Sequence, residues 1–421
     1  MSSLNLSFYD DARVSEPKIK RNLTRLQAYR TTLRDIETTA DISRPESALF
    51  AAKDSDLHET IDALKKRFKS VKALVLIGIG GSSLGFEAVY SVAGAGKRAV
   101  HVIDDISVSK LEAVKLALKP YRKVEDIVVC VASKSGTTTE TISNASVFLA
   151  EMIDKYGVKF YQQVVWISDQ QSPLYKYGKK QGGQCVPIPN AVGGRYSVGT
   201  AVALVPLALA GVDTEEYIAG FLDASSSTLE SVAAESAARL ALYHEMKYVH
   251  YNFFAFESRL DKLAAWYQQL LAESLGKSER SDGSPMPYAL VPTLSTPTEL
   301  HSVGQLYFSR ITSVYTDFVS FDDAALDVFL PKRDRLAGKL AKYSMQEIAT
   351  ALYGGVIAAY QERQLPYRAT ILDDNLPYAL GVFMAMRMRE IMYTAELLKV
   401  NAFNQPNVEL YKEKTKSILS L

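Results

Sequence analysis

The sequence predicts an α/β protein with two αβα sandwich domains built on parallel sheets. A helical N-terminal segment is expected over 1–69 and a helical C-terminal tail over 401–421. The first sandwich is expected over 70–230 and the second over 231–400. Three observations point there. Short apolar, β-branched runs alternate with stretches of helical spacing, which implies parallel strands joined by right-handed crossovers. The series occurs twice. And 421 residues are enough for two full cores.

The elements follow in order. From about Glu16 to Lys69 the chain is polar with helical spacing and few strand signals. "VKALVLIG" from Val71 reads as a buried strand, and "RAVHVID", "DIVVCVAS" and "QVVWISD" repeat it with helical stretches between. The second series begins near Lys247. "KYVHYNFFAF" is aromatic and alternating, and "RLDKLAAWYQQLLAESLGK" is amphipathic. "PYALVPTLS", "ELHSVGQLYFSRI" and "SVYTDFVSFD" then read as strand, helix and strand, and the chain is helical from Asn375.

Composition narrows the function. Hydrophobic content of 48% and charged content of 23% suit a soluble globular protein. A net charge of +1 argues against a nucleic-acid partner, so any anionic ligand must be held by local groups. Cys130 and Cys185 supply neither a disulfide framework nor zinc spacing. The N-terminal stretch has no basic start or apolar core, so no signal peptide is expected. The longest apolar run, from Thr200, is too short to span a bilayer. A cytoplasmic protein without a membrane partner is the expectation.

Two loops carry the chemistry. Both follow a strand and open a helix, where open parallel sheets bind ligands. "SKSGTTTET" offers the hydroxyls of Ser133, Ser135, Thr137 and Thr138, with Lys134 as a charge and Gly136 for a tight turn. A helix start adds free N–H groups and a positive dipole end, so the stretch reads as a phosphate cradle. The plainer reading is helix capping by Thr137 or Thr138. "GIGGSSLG" is the partner loop, with Gly81 allowing close approach and Ser82 a donor. A dinucleotide fingerprint would need a third glycine where Ser83 stands.

Together the two loops resemble the SIS (sugar isomerase) domain. Further on, "VGGRYSVGTAVAL", "AESLGKS" and "FNQPNVELYK" fall in order, and with "SKSGTTTET" they resemble four signatures of the glucose-6-phosphate isomerase family in its shorter bacterial form. The resemblance runs from Ser133 to Lys412. It implies reversible aldose–ketose isomerisation of glucose 6-phosphate and fructose 6-phosphate through ring opening and a cis-enediolate. It implies a sugar-phosphate substrate, no cofactor and no metal, and a homodimer whose active site is completed across the interface.

The resemblance also assigns roles. Glu273 is the base that carries a proton between C2 and C1. Arg195 stabilises the enediolate, which a guanidinium does without ever deprotonating. His301 and Lys412 assist ring opening, and Gln269 and Gln405 touch the substrate. Each has a plainer alternative: a helix-end carboxylate, a structural ion pair, a structural histidine, a solvated basic tail. Glu299 is expected to sit in a helix's first turn. The sequence departs from the family at Ser135-Gly136, Leu306, Asn404 and Asn407. The departure at Ser135-Gly136 leaves open a broader isomerase that also accepts mannose 6-phosphate. A non-catalytic sugar-phosphate sensor would need the phosphate loop but not Glu273, Arg195, His301 and Lys412 together.

Overall fold

The computed structural model describes residues 4–94, 96, 98–309, 313–321, 327–331 and 336–420. Its strands are β1 (Leu4–Tyr9), β2 (Ala73–Ile77), β3 (Ala99–Ile103), β4 (Ile127–Ala132), β5 (Val164–Ser168), β6 (Gln184–Pro187), β7 (His250–Ala255), β8 (Val291–Ser295), β9 (Val314–Phe321) and β10 (Tyr367–Leu372). They form two five-stranded sheets, β3-β2-β4-β5-β6 and β1-β10-β9-β7-β8. The helix expected from "ELHSVGQLYFSRI" is observed as a turn, Pro297–His301, and a short helix, Gly304–Phe308. Residues 310–312 of that stretch, and Asp322 of the following strand, lie outside the described residues.

In the first sheet every pairing is parallel. The strand order reverses between β2 and β4, which run side by side with Ile77 opposite Val131. A crevice opens beyond the carboxyl ends of strands at such a point. The Gly/Ser loop after β2 and the Ser/Thr loop after β4 both start there. The second sheet repeats this reversal at β7 and β9.

The second sheet also holds what sequence patterning missed. β1 lies ahead of the helical leader and pairs antiparallel with β10, so this sheet is not wholly parallel. It covers an edge of β10 that would otherwise expose unpaired backbone groups. The leader helix itself starts at Glu16, as the periodicity indicates, with proline in its first turn.

One apolar core runs through both halves. It joins Leu26 and Leu33 of the leader helix, Leu74 and Leu76 of β2, Trp266 and Leu270 of the helix Asp261–Leu275, and Met384 and Met388 of the helix Leu376–Leu398. The expected boundary at 230 falls inside the helix Ser227–Glu245. The helix Leu376–Leu398 is buried along almost its whole length, so its charges must be paired. Arg387 meets Asp317 at 3.0 Å and Glu390 at 2.8 Å, and Arg368 meets the same two acids at 2.6 and 2.8 Å. Tyr251 donates to Asp317 at 2.5 Å and Tyr267 to Glu390 at 3.1 Å. Tyr267 thereby ties the helix Asp261–Leu275 to this buried ring.

Two helices cross backbone to backbone at Gly220 and Gly381. A Cβ on Gly381 would stand 2.2 Å from the Tyr217 carbonyl oxygen, and one on Gly220 would stand 2.0 Å from that of Tyr378. Backbone cannot rotate away as a side chain can. Gly381→Ala is therefore expected to destabilise the fold by about 1–3 kcal/mol, read as a lower urea midpoint with an unchanged m-value.

Candidate active site

The Ser/Thr loop is anchored from below and open above. Ser168 at the end of β5 donates its hydroxyl to the Ser133 carbonyl at 2.6 Å, and the Ser133 amide donates to the Ile167 carbonyl at 3.1 Å. Gly136 has φ +65°, and a Cβ there would stand 2.8 Å from Ser172 Cβ and Oγ. Only glycine suits that position. Within the loop, Ser133 Oγ lies 2.9 Å from Thr138 Oγ1, and Thr137 donates to Ser135 Oγ from its amide and its hydroxyl, both at 3.2 Å.

Thr138 is the N-cap of the helix Thr139–Tyr156, yet its side chain makes no capping hydrogen bond. Its hydroxyl turns to Ser133 instead. That answers the capping alternative for Thr138, because a cap would bond the N–H groups of the first turn. Lys134 is half-buried beside the loop, and burial pulls its ammonium below the usual range, with Asp169 partly opposing. Ser135 and Thr137 are exposed.

The glycine-rich loop meets a second turn. A Cβ on Gly81 would stand 2.3 Å from the Gly194 carbonyl carbon. The turns Gly80–Ser82 and Gly194–Gly199 therefore touch main chain to main chain. Ser197 Oγ donates toward the Gly81 carbonyl at 3.2 Å and the Gly194 carbonyl at 2.7 Å, holding the contact. Ser82, part of the first turn, is half-exposed.

Arg195 lies just beyond this contact, with its side chain 1% exposed. All five of its N–H groups have acceptors. Nε donates to Ser274 Oγ at 2.8 Å. Nη1 donates to Glu273 Oε2 at 3.0 Å and Gln405 Oε1 at 2.5 Å. Nη2 donates to the carbonyls of Ala402 at 2.6 Å and Asn404 at 3.1 Å. One guanidinium thus gathers the first domain, the helix Asp261–Leu275 and the start of the C-terminal tail.

Glu273 sits near the end of that helix with its side chain 31% exposed, so its carboxylate is reachable from solvent. Gln269, one turn earlier, donates from Nε2 to Glu273 Oε1 at 3.2 Å. Its Oε1 is buried without a partner, and its amide faces Gly80. A free buried acceptor beside a carboxylate suits a hydroxyl-bearing ligand.

Two expected residues stand apart from this cluster. His301 is exposed at the end of the turn Pro297–His301. Lys412 lies on the helix Glu409–Ile418, paired with Glu409 at 2.8 Å. Among the described residues, neither is hydrogen-bonded to Glu273, Arg195 or Gln405. Glu299 closes a capping box on Thr296, accepting from its amide at 2.6 Å. That is the helix-start role expected of it.

Sequence reasoning missed Ser274 and Lys277. Ser274 is fully buried and takes hydrogen bonds from Arg195 and, at 2.9 Å, shares one with Tyr196. Lys277 donates to the carbonyls of Glu273 at 2.6 Å and Asn404 at 2.5 Å. Both lie in the "AESLGKS" segment, which was the available signal, but the guanidinium that donates to Ser274 and the Asn404 carbonyl that accepts from Lys277 come from remote parts of the chain.

A hydroxyl-rich loop at one domain's switch point, with a buried guanidinium and a solvent-accessible carboxylate where the halves meet, has the make-up of an α/β enzyme site for an anionic substrate. Residues 28–421 match the phosphoglucose isomerase family, and the chain belongs to it. It is 31% identical over 382 residues to the glucose-6-phosphate isomerase of Thermus thermophilus, covering 87% of this chain and 89% of that one. The enzyme of the same name from Acholeplasma laidlawii is 31% identical over 378 residues, covering 86% of each. A crystal structure of a hypothetical protein from Thermus thermophilus superposes with a TM-score of 0.85 at 26% identity, covering 99% of this chain and 100% of that one.

Arg195→Lys tests the hub. An ammonium has three donors on one point and cannot reproduce a planar fork of five. The substitution is expected to lower kcat by more than about 100-fold and to lower the melting temperature. A variant with wild-type kcat would show that the hub is not part of the machinery.

Proposed function

We propose that this protein interconverts D-glucose 6-phosphate and D-fructose 6-phosphate by proton transfer through a cis-enediolate. The observation that carries the mechanism is the meeting of Glu273, Arg195 and Gln405 beside the free acceptor of Gln269. Family membership supplies the substrate class.

In this reading the sugar's phosphate lies on Ser133, Lys134, Ser135, Gly136, Thr137 and Thr138, capped by the first turn of their helix. Gly81 and Ser82 border the sugar. Glu273 removes the proton from C2 and returns it to C1. Arg195 supplies a fixed positive charge where the enediolate oxygens gain charge, and it needs no reorganisation to do so. His301 and Lys412 open the ring. The chemistry is internal proton transfer, so the reading assigns no cofactor.

His301 and Lys412 are read as reaching the sugar at the rim, with His301 supplied by the second subunit of a homodimer. An exposed apolar surface supports this. The helix Met345–Glu362 buries only Val356 and Tyr360, while Met345, Leu352, Phe329, Leu340 and Tyr343 are exposed. Exposed apolar side chains on and beside one helix suit an association surface. Among the described residues no helix is long and apolar enough to cross a membrane. The unpaired thiols of Cys130 and Cys185 suit the reducing cytoplasm expected for the enzyme.

A coupled assay with fructose 6-phosphate and mannose 6-phosphate offered separately, in EDTA, tests the reading. Rapid formation of glucose 6-phosphate from fructose 6-phosphate alone is expected. Comparable use of mannose 6-phosphate would make the enzyme bifunctional, and no turnover with retained binding would leave a sensor. Glu273→Gln is expected to abolish turnover while sugar-phosphate binding persists. Mixing Glu273→Gln with His301→Ala subunits is expected to restore activity, because one site of the hybrid dimer then holds both native groups. No recovery on mixing, with hybrid formation verified, would place His301 in its own subunit's site.

A further inference from the structure

Lys277 occupies a position that its sequence context does not explain. It lies just past the end of the helix Asp261–Leu275, and Gly276 lets the chain turn there. Its ammonium folds back to the Glu273 carbonyl, one of the last acceptors of the helix left without an intrahelical donor. A capping lysine would need nothing more. This one also reaches the Asn404 carbonyl, 127 residues later in the chain. That carbonyl is shared with Arg195 Nη2. The Lys277 ammonium and the Arg195 guanidinium therefore meet at the Asn404 oxygen, and the ammonium joins that tail segment to the backbone of the base.

We propose that Lys277 is a positioning residue for the isomerisation: its ammonium clamps the main chain of Glu273 to the main chain of Asn404, and so holds the base and Gln405 in register on Arg195. The proposal rests on the isomerase reading. A cavity of about 190 Å³, lined in part by Lys277, Glu279, Arg280, Asn401 and Asn404, lies on its other side. Proton exchange with solvent is therefore open although the residue is only 8% exposed. Burial, with the Arg195 charge adding and Glu273 opposing, brings the ammonium down to about 8. The charged groups around it are Arg195 from the turn Gly194–Gly199, Glu273 from its own helix, and Glu279 and Arg280 in the cavity. The clamp is charged below that pH and neutral above it. The neutral amine is a weaker donor to two carbonyls, so the clamp loosens as pH rises.

The test is kcat and KM for fructose 6-phosphate from about pH 6 to about pH 10, in wild type, Lys277→Met and Lys277→Arg. The methionine variant is expected to lose about 100-fold in kcat, with KM within about threefold, because the phosphate loop lies elsewhere. The arginine variant, which keeps a charged donor, is expected to recover at least about tenfold of that loss. Wild-type kcat is expected to fall as pH rises through about 8, and the arginine variant is expected to lack that fall. A methionine variant with kcat near wild type overturns the proposal, as does an arginine variant with the wild-type alkaline limb. If the methionine variant does not fold, the arginine profile decides. If the wild-type protein turns over no sugar phosphate, the isomerase reading fails and the clamp is read by lysine NMR. A side-chain resonance that titrates near 8 and vanishes in Lys277→Arg supports the clamp, and its absence overturns it.

Discussion

The candidate site depends on one buried guanidinium with every donor engaged. Removing an arginine's charge from water costs several kcal/mol, and hydrogen bonds to a charged group return about 1.5–3 kcal/mol each. Each N–H left without an acceptor would add the penalty of a buried, unsatisfied charged donor. Ser274, Glu273, Gln405, Ala402 and Asn404 must therefore be brought to Arg195 together. Two of these positions belong to the helix Asp261–Leu275 and three to the segment after the helix Leu376–Leu398. The glycines of Gly81 and Gly194 are part of the same constraint, because they let the turn bearing Arg195 sit against the loop after β2.

Such a hub works only on a rigid frame. The frame is the second buried charge cluster, where Arg368 and Arg387 alternate with Asp317 and Glu390. Burial alone would raise the Asp317 pKa, but the two guanidiniums hold its carboxyl below the usual range. The cluster links β9, β10 and the helix Leu376–Leu398. Through Tyr267 it reaches the helix that carries Gln269 and Glu273. A polar network of this kind fixes one arrangement of the elements around it when its members are satisfied. The shared apolar core does the same for the two sheets.

The division of labour between the halves follows from sheet topology. The first sheet places two loops at the point where strand order reverses, and helix starts there favour an anion. The second half contributes a helix whose C-terminal end faces the first domain. The proposed phosphate loop and the proposed base therefore stand on different elements, each tied to its own sheet. In the proposed reaction, that separation would let the phosphate be held uniformly while the base acts on the carbons near it.

The strands were legible where burial on both faces leaves a continuous apolar run, as in β2, β4 and β5. β1, β6 and β10 were not, because their runs are short, mixed, or broken by polar residues such as Arg368 and Thr370, whose partners lie far along the chain. The hydroxyl-rich loop between strand and helix was legible because neighbours in sequence are its neighbours in space. Glu273 and Arg195 were legible as members of short motifs. What the sequence alone determined was local: the alternation of strand and helix, the hydroxyl-rich loop and the residue types able to do the chemistry. What the tertiary structure decided was convergence. Ser274 and Lys277 gain their roles from a guanidinium and a carbonyl more than 70 residues away. His301 and Lys412 lie outside the cluster because nothing in their own segments directs them into it. Hydrogen bonds act over about 3 Å, so a residue's partners are set by how the elements pack, which no short window of sequence contains.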